Sequence, residues 1–202
     1  MFSHPPRLLT LLYPSLEWDI QTDQNEIFLT FDDGPTAGVT EQVLDLLSEY
    51  KAKATFFCLG KNIKSYPKIV DRIIKEGHSI GNHTFDHLNG WKTTSSDYLD
   101  NIKLFNQYFV TNLFRPPYGK IKRSQIHSIK DQYRIIMWTI LSMDYNKNLS
   151  PEKCLVHCLK DLKKGSIVVF HDSLKAEQRM IFALRGLLNY CRDAGIKCSR
   201  IT

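Results

Sequence analysis

Thr30-Phe31-Asp32-Asp33-Gly34-Pro35 sets two carboxylates side by side at the end of an apolar run. Adjacent anions repel unless a cation or a proton compensates them. Gly34 and Pro35 enforce a turn, which lets the two side chains diverge. One of them can then ligate a metal ion while its neighbour faces a water. The plainer alternative is a solvated turn, which the dipeptides alone favour. A second group, His83-Thr84-Phe85-Asp86-His87, carries imidazoles at i and i+4. On a helical turn that spacing puts both on one face, within reach of one ion. Together with the Asp pair it forms a set of one carboxylate and two histidines. Such a set leaves coordination positions open for water and substrate, as catalytic sites do.

Three further segments carry polar groups of the right kind. In Arg115-Pro116-Pro117-Tyr118-Gly119 the prolines stiffen a loop that can aim a backbone N–H at a developing oxyanion. Arg115 is permanently charged and suits a carboxylate partner. Asp144 lies in the stretch from Trp138 to Tyr145, and His171 ends the apolar run Val168-Val169-Phe170. A histidine at such a place is, taken alone, more often a structural residue than a catalyst.

The elements that must position these groups alternate between strand and helix. Strands are expected at 27–31, 54–59, 78–80, 113–115, 133–139, 166–170 and 196–199. Helices are expected at 40–50 behind a Thr40 cap, 63–76, 97–109 behind Ser95 or Ser96, 124–130, 151–163 and 177–194. Unbroken apolar strands between helices indicate a parallel sheet covered by helices. About 175 residues is short for a full eightfold barrel of ~250, so the expected fold is an α/β, irregular (β/α)7-like barrel with parallel strands and outer helices. Asp32-Asp33, Asn82-His83, Arg115, Asp144 and His171 each follow a strand or its loop. In a parallel barrel those ends converge on one face.

These motifs, in this order and over roughly residues 26 to 200, resemble the polysaccharide deacetylases. That family is carbohydrate esterase family four, with its nodulation-type chitooligosaccharide deacetylase domain. The resemblance implies an irregular barrel that removes N-acetyl groups from N-acetylated amino sugars. It implies that Asp33, His83 and His87 hold a divalent metal, usually zinc, and that Asp32 is the base that activates the attacking water. It implies His171 as the acid that protonates the departing amine and Arg115 as the residue that orients the base. Asp144 would tune the acid, and the Tyr118 backbone N–H would hold the oxyanion. Trp138 and Val169 would shape a pocket for the acetyl methyl. The chain departs from the family at Tyr145, often Trp, and at Leu141, often Asp. Those departures bear on substrate fit. Two alternatives remain: a deformylase or other amidohydrolase on a lipid-linked or small amide, and an inactive carbohydrate-binding homologue. Trp91 either stacks on a sugar ring or packs beneath its loop.

The chain has 202 residues, 27 Lys and Arg against 21 Asp and Glu, and a net charge of +6. Its 43% hydrophobic and 24% charged content excludes a disordered or collagen-like chain. The basic residues form no run, and no nucleic-acid motif accompanies them, so no nucleic-acid partner is expected. Five cysteines without a C-x-x-C pair are expected to be free thiols, with Cys154 and Cys158 on a partly buried helix face. Residues 1–25 are expected to be a short extension packed on a catalytic domain at 26–202. Leu8–Tyr13 is too short an apolar run for a signal peptide and is broken by Pro14. It is expected to pack as a turn, with shallow membrane contact as the alternative. No spanning segment is expected, and the expected compartment is the cytoplasm.

Overall fold

A computed structural model describes residues 12–202. The sequence-based turn at 8–13 therefore falls largely outside the described residues. Nine parallel strands among those residues form one sheet: β1 (Leu16–Glu17), β2 (Glu26–Asp32), β3 (Thr55–Cys58), β4 (Ser79–Asn82), β5 (Leu113–Phe114), β6 (Arg134–Ile136), β7 (Ile140–Leu141), β8 (Ile167–His171) and β9 (Lys197–Ser199). The order is β1-β6-β5-β4-β3-β2-β8-β7, and β9 joins the start of β2. The ladder runs from β1 to β7 and the curved sheet forms the expected irregular barrel. The helices are α1 (Val39–Glu49), α2 (Gly60–Ser65), α3 (Pro67–Lys75), α4 (Ser95–Phe105), α5 (Arg123–Ile129), α6 (Pro151–Leu159) and α7 (Glu177–Asp193). Among the described residues no helix is long and apolar enough to cross a membrane.

Every residue of β2 is buried, because both of its faces are covered. Side chains alternate across a strand. Ile27, Leu29 and Phe31 join Val168 and Phe170 of β8 in the layer between sheet and helices. Phe28, Ile167 and Val169 fall in a second core inside the barrel with Phe57, Phe114 and Trp138. Register pairs Thr30 with Val169 and Asp32 with His171. The same alternation that packs Phe28 and Ile167 inward therefore carries Thr30, Asp32 and His171 onto the inner face, at the carboxyl ends of their strands.

Several boundaries differ from the sequence-based expectation. The single helix at 63–76 is two helices, α2 and α3, broken at Tyr66 (φ −128°, ψ 55°). A residue before proline is pushed out of helical geometry, and Pro67 then fits the first position of the new helix. Thr40 lies inside α1 rather than capping it, and Gly38 (φ 80°) precedes the helix. Thr94 caps α4 by accepting from the Asp97 N–H at 3.2 Å. The strand expected at 133–139 shortens to β6, which pairs with β1 and β5, and a further strand just beyond it, β7, pairs with β8. Between them, Arg115 takes the Ile136 and Met137 carbonyls, two acceptors that a continuous ladder would use. β1 places part of the segment before residue 26 in the sheet. All five cysteines are free and buried.

Candidate active site

Asp32 ends β2 and is 5% exposed. Its Oδ1 accepts from Arg115 Nη1 at 2.7 Å. Arg115 is fully buried. The same Nη1 donates to Thr30 Oγ1 at 2.8 Å, Nη2 to the Met137 carbonyl at 2.8 Å and Nε to the Ile136 carbonyl at 3.2 Å. Its guanidinium lies 4.1 Å from the centroid of the Phe57 ring. Burial pulls the Arg115 pKa down while Asp32 pulls it up, and an arginine starts high enough to stay charged. Asp32 is thus held in one orientation by a side chain that cannot move or titrate.

Asp33 turns away through a left-handed backbone (φ 81°), and Asn62 Nδ2 donates to its carbonyl at 2.8 Å. Next to it Gly34 must be glycine. A Cβ there would stand 2.0 Å from Asp172 Oδ2. Asp172 is fully buried and grips the turn, accepting from the Gly34 N–H at 3.0 Å and from the Thr40 hydroxyl at 2.6 Å. Burial, with the charges of Asp33 and Asp32, pushes Asp172 up to about 8 against the Thr40 hydrogen bond. Neither Thr40 nor Asp172 stood out in the sequence as part of the site. The only available signal was the position of Asp172 directly after His171.

His83 follows β4, and its Nδ1 lies 2.8 Å from the Arg115 carbonyl. A carbonyl only accepts, so Nδ1 carries the proton and Nε2 keeps its lone pair. Burial outweighs the Asp32 and Asp33 carboxylates and lowers the His83 pKa to about 4, so the ring is neutral. His83 Nε2 and His87 Nε2 lie 3.9 and 3.1 Å from Asp33 Oδ1. The two histidines do not share a helical turn as the spacing suggested. Residues 83–87 form a loop in which Thr84 (φ 64°) and His87 (φ 65°) are left-handed, and the loop reversal brings the rings to 5.1 Å. Burial alone would raise the Asp33 pKa, but the His87 hydrogen bond and the charge of His171 hold it well below the carboxylate range.

Asp33, His83 and His87 present ligand atoms that all lie within 4.8 Å of one another. They are the one such cluster of three or more found among the described residues. A neutral imidazole with a fixed tautomer, a second imidazole and an ionised carboxylate fit a divalent metal of the zinc type. Lys175 Nζ, 3.5 Å from Asp33 Oδ2, is a further neighbour that the sequence did not flag.

His171 ends β8 beside Asp32. Its Nδ1 is 2.7 Å from Asp144 Oδ1, and its backbone N–H donates to Asp144 Oδ2 at 2.8 Å. Asp144 is fully buried, and Arg179 Nε donates to its carbonyl at 2.6 Å, a contact across 35 residues with no local sequence signal. Burial pulls the His171 pKa down, but the charge and hydrogen bond of Asp144, with Asp33 and Asp32, push it up to about 9. At neutral pH it is an imidazolium. Tyr145 packs edge-on against it with ring centroids 4.9 Å apart.

Tyr118 is left-handed (φ 60°). Its turn is closed by Gly119 N–H to Pro116 and Lys120 N–H to Pro117, which leaves the Tyr118 N–H outside those bonds. Its hydroxyl lies 3.0 Å from His87 Nδ1, so it also orients that ring. A cavity of about 160 Å³ has Asp32, Asp33, both histidines, Tyr118 and His171 in its wall, with Arg115 and Asp144 behind it. Trp138, Val169 and Leu141 supply the apolar side. The departure at Leu141 therefore places a hydrocarbon in the wall. The structure thus brings together every site residue expected from the sequence.

A parallel α/β barrel with these groups at its carboxyl end is the frame of a hydrolase. A family model described as polysaccharide deacetylase matches residues 19–133. The chain belongs to the polysaccharide deacetylase family, carbohydrate esterase family 4. A peptidoglycan-N-acetylglucosamine deacetylase of Bacillus cereus is 35% identical over 188 residues, covering 89% of this chain and 88% of the relative. The structure of the Bc1960 peptidoglycan N-acetylglucosamine deacetylase superposes with a TM-score of 0.86 at 29% identity, over 98% of this chain and 94% of the other. A pseudoenzyme of the same family from Bacillus anthracis has a TM-score of 0.80 at 22% identity, over 91% of this chain and 66% of the other. That last likeness is one of fold alone, so the fold by itself does not carry an activity.

Proposed function

We propose that the chain is a metal-dependent deacetylase that hydrolyses the N-acetyl amide of N-acetylglucosamine units in a glycan or oligosaccharide. One observation carries the reading. Two buried ion pairs, Asp32–Arg115 and Asp144–His171, stand side by side on adjacent strands, next to the Asp33, His83, His87 cluster and around one cavity. Amide hydrolysis needs a base for the water and an acid for the amine at the same pH. These pairs supply both.

A divalent cation, zinc by the nature of the donors, held by Asp33, His83 and His87 would polarise the amide carbonyl and acidify the water beside it. Asp32, fixed by Arg115, accepts the proton of the attacking water. The Tyr118 N–H donates to the oxyanion. His171, charged at neutral pH, delivers its proton to the amine nitrogen, and Asp144 holds the imidazole with Nε2 free to do so. The acetyl methyl lies against Trp138, Leu141 and Val169. The named deacetylases among the relatives support the choice of an N-acetylated sugar.

The reading is tested by Asp32→Asn. We expect it to bind zinc as the parent does and to lose about 10²- to 10⁴-fold in acetate release. Deacetylation by the Asp32→Asn protein at the parental rate would remove Asp32 from the role of base.

A further inference from the structure

Trp91 has no part in the reaction above and does not line the cavity, yet it is the most exposed aromatic among the described residues. It is 58% exposed. An exposed side chain of this size is ordinarily free to move, but this one is fastened. Its Nε1 donates to the Ile121 carbonyl at 3.1 Å, and its backbone N–H to Asn89 Oδ1 at 3.0 Å. The loop beneath it is fastened as well. The Gly90 N–H donates to the Lys120 carbonyl at 3.1 Å, and Gln125 Nε2 donates to the Gly90 carbonyl at 3.0 Å. The approach is close enough that a Cβ on Gly90 would stand 2.5 Å from the Lys120 oxygen. Trp91 is thereby tied to the segment that directly follows Tyr118 and Gly119, which wall the cavity. Lys120 Nζ stands 5.4 Å from the centroid of the indole.

The cavity itself, at about 160 Å³, is smaller than the ~300–1,000 Å³ of a typical ligand pocket. It has room for the acetamido end of one sugar. The rest of a glycan must lie across the rim. Bonded to the segment that follows Tyr118 and Gly119, the indole has one face under the Lys120 ammonium and offers the other to pyranose C–H groups, while the ammonium can donate to hydroxyls or a carboxylate.

We propose that Trp91, with Lys120 beside it, is a platform for a second sugar ring of the glycan whose N-acetyl group enters the cavity. This rests on the deacetylase reading for its substrate class. The test is binding of N-acetylglucosamine and of its pentamer to zinc-loaded protein, by calorimetry or ligand-observed NMR, alongside acetate release. The parent is expected to bind the pentamer more tightly than the monosaccharide. Trp91→Ala should weaken the pentamer about five- to tenfold and leave the monosaccharide within about twofold. Trp91→Phe, which keeps a ring, should recover most of the loss. A Trp91→Ala loss common to both ligands, no loss for either, or no pentamer binding by the parent overturns the platform. A parent that binds the pentamer through Trp91 but releases no acetate overturns the deacetylase reading and leaves the platform standing.

Discussion

The two buried ion pairs of the site have the same length and opposite characters. Arg115–Asp32 and His171–Asp144 both close at 2.7 Å. Arg115 is sealed, with donors spent on Asp32, Thr30 and two carbonyls, whereas the His171 side chain is 14% exposed and faces the cavity. The first pair has a cation that cannot give up its proton; the second has one that can. A carboxylate gripped by an arginine is fixed in place as an acceptor. A histidine beside a carboxylate is kept protonated and ready to donate. The partner's chemistry, rather than the distance, assigns the roles.

The contrast breaks most visibly in stability. Arg115→Met leaves Asp32 buried beside an apolar chain, and removing one partner of a buried pair costs about 3–5 kcal/mol. Urea unfolding should show a loss of that size, and a loss below about 1 kcal/mol would mean that the pair is not a structural fixture. His171→Ala should do the reverse. Its acetate release should fall about 10²- to 10⁴-fold with a smaller loss of stability, because Asp144 keeps the backbone N–H of residue 171 and the space left by the ring opens to the cavity. An inactive variant as destabilised as the Arg115 variant would erase the distinction.

The finest test is pH. His171 is raised to about 9, so kcat should hold at neutral pH and fall as pH rises through about 9. The stabilisation that accompanies the raised pKa is fully present below about 6.5 and is lost as pH rises through about 9. Asp144→Asn should move the alkaline fall of kcat to lower pH and flatten the stability difference between about pH 6 and about pH 9.5. An unchanged alkaline limb would separate Asp144 from the acid.

Much of this site was legible in the sequence because its groups travel in short motifs at strand ends. Asp32, Asp33 and Gly34 are neighbours, and the apolar runs around them give the strands that bring Asp32 and His171 into register. The unread features are those made by distant chain segments. Thr40 meets Asp172 across 132 residues, and Arg179 reaches the Asp144 carbonyl across 35. The histidine spacing gave the right partners by the wrong geometry, since a loop with two left-handed residues replaces the helical turn. The break at Tyr66-Pro67 was visible in principle, as was Thr94 beside the two serines; local rules locate such ends only to within a residue or two.

The most direct test of the account is acetate release from the N-acetylglucosamine pentamer by protein stripped with chelator and then given zinc. We expect no release from the stripped protein, full release on restoring zinc, and no restoration in Asp33→Ala. Release that persists after stripping, or zinc-restored protein that frees no acetate while its Asp33, His83, His87 site is loaded, would contradict it.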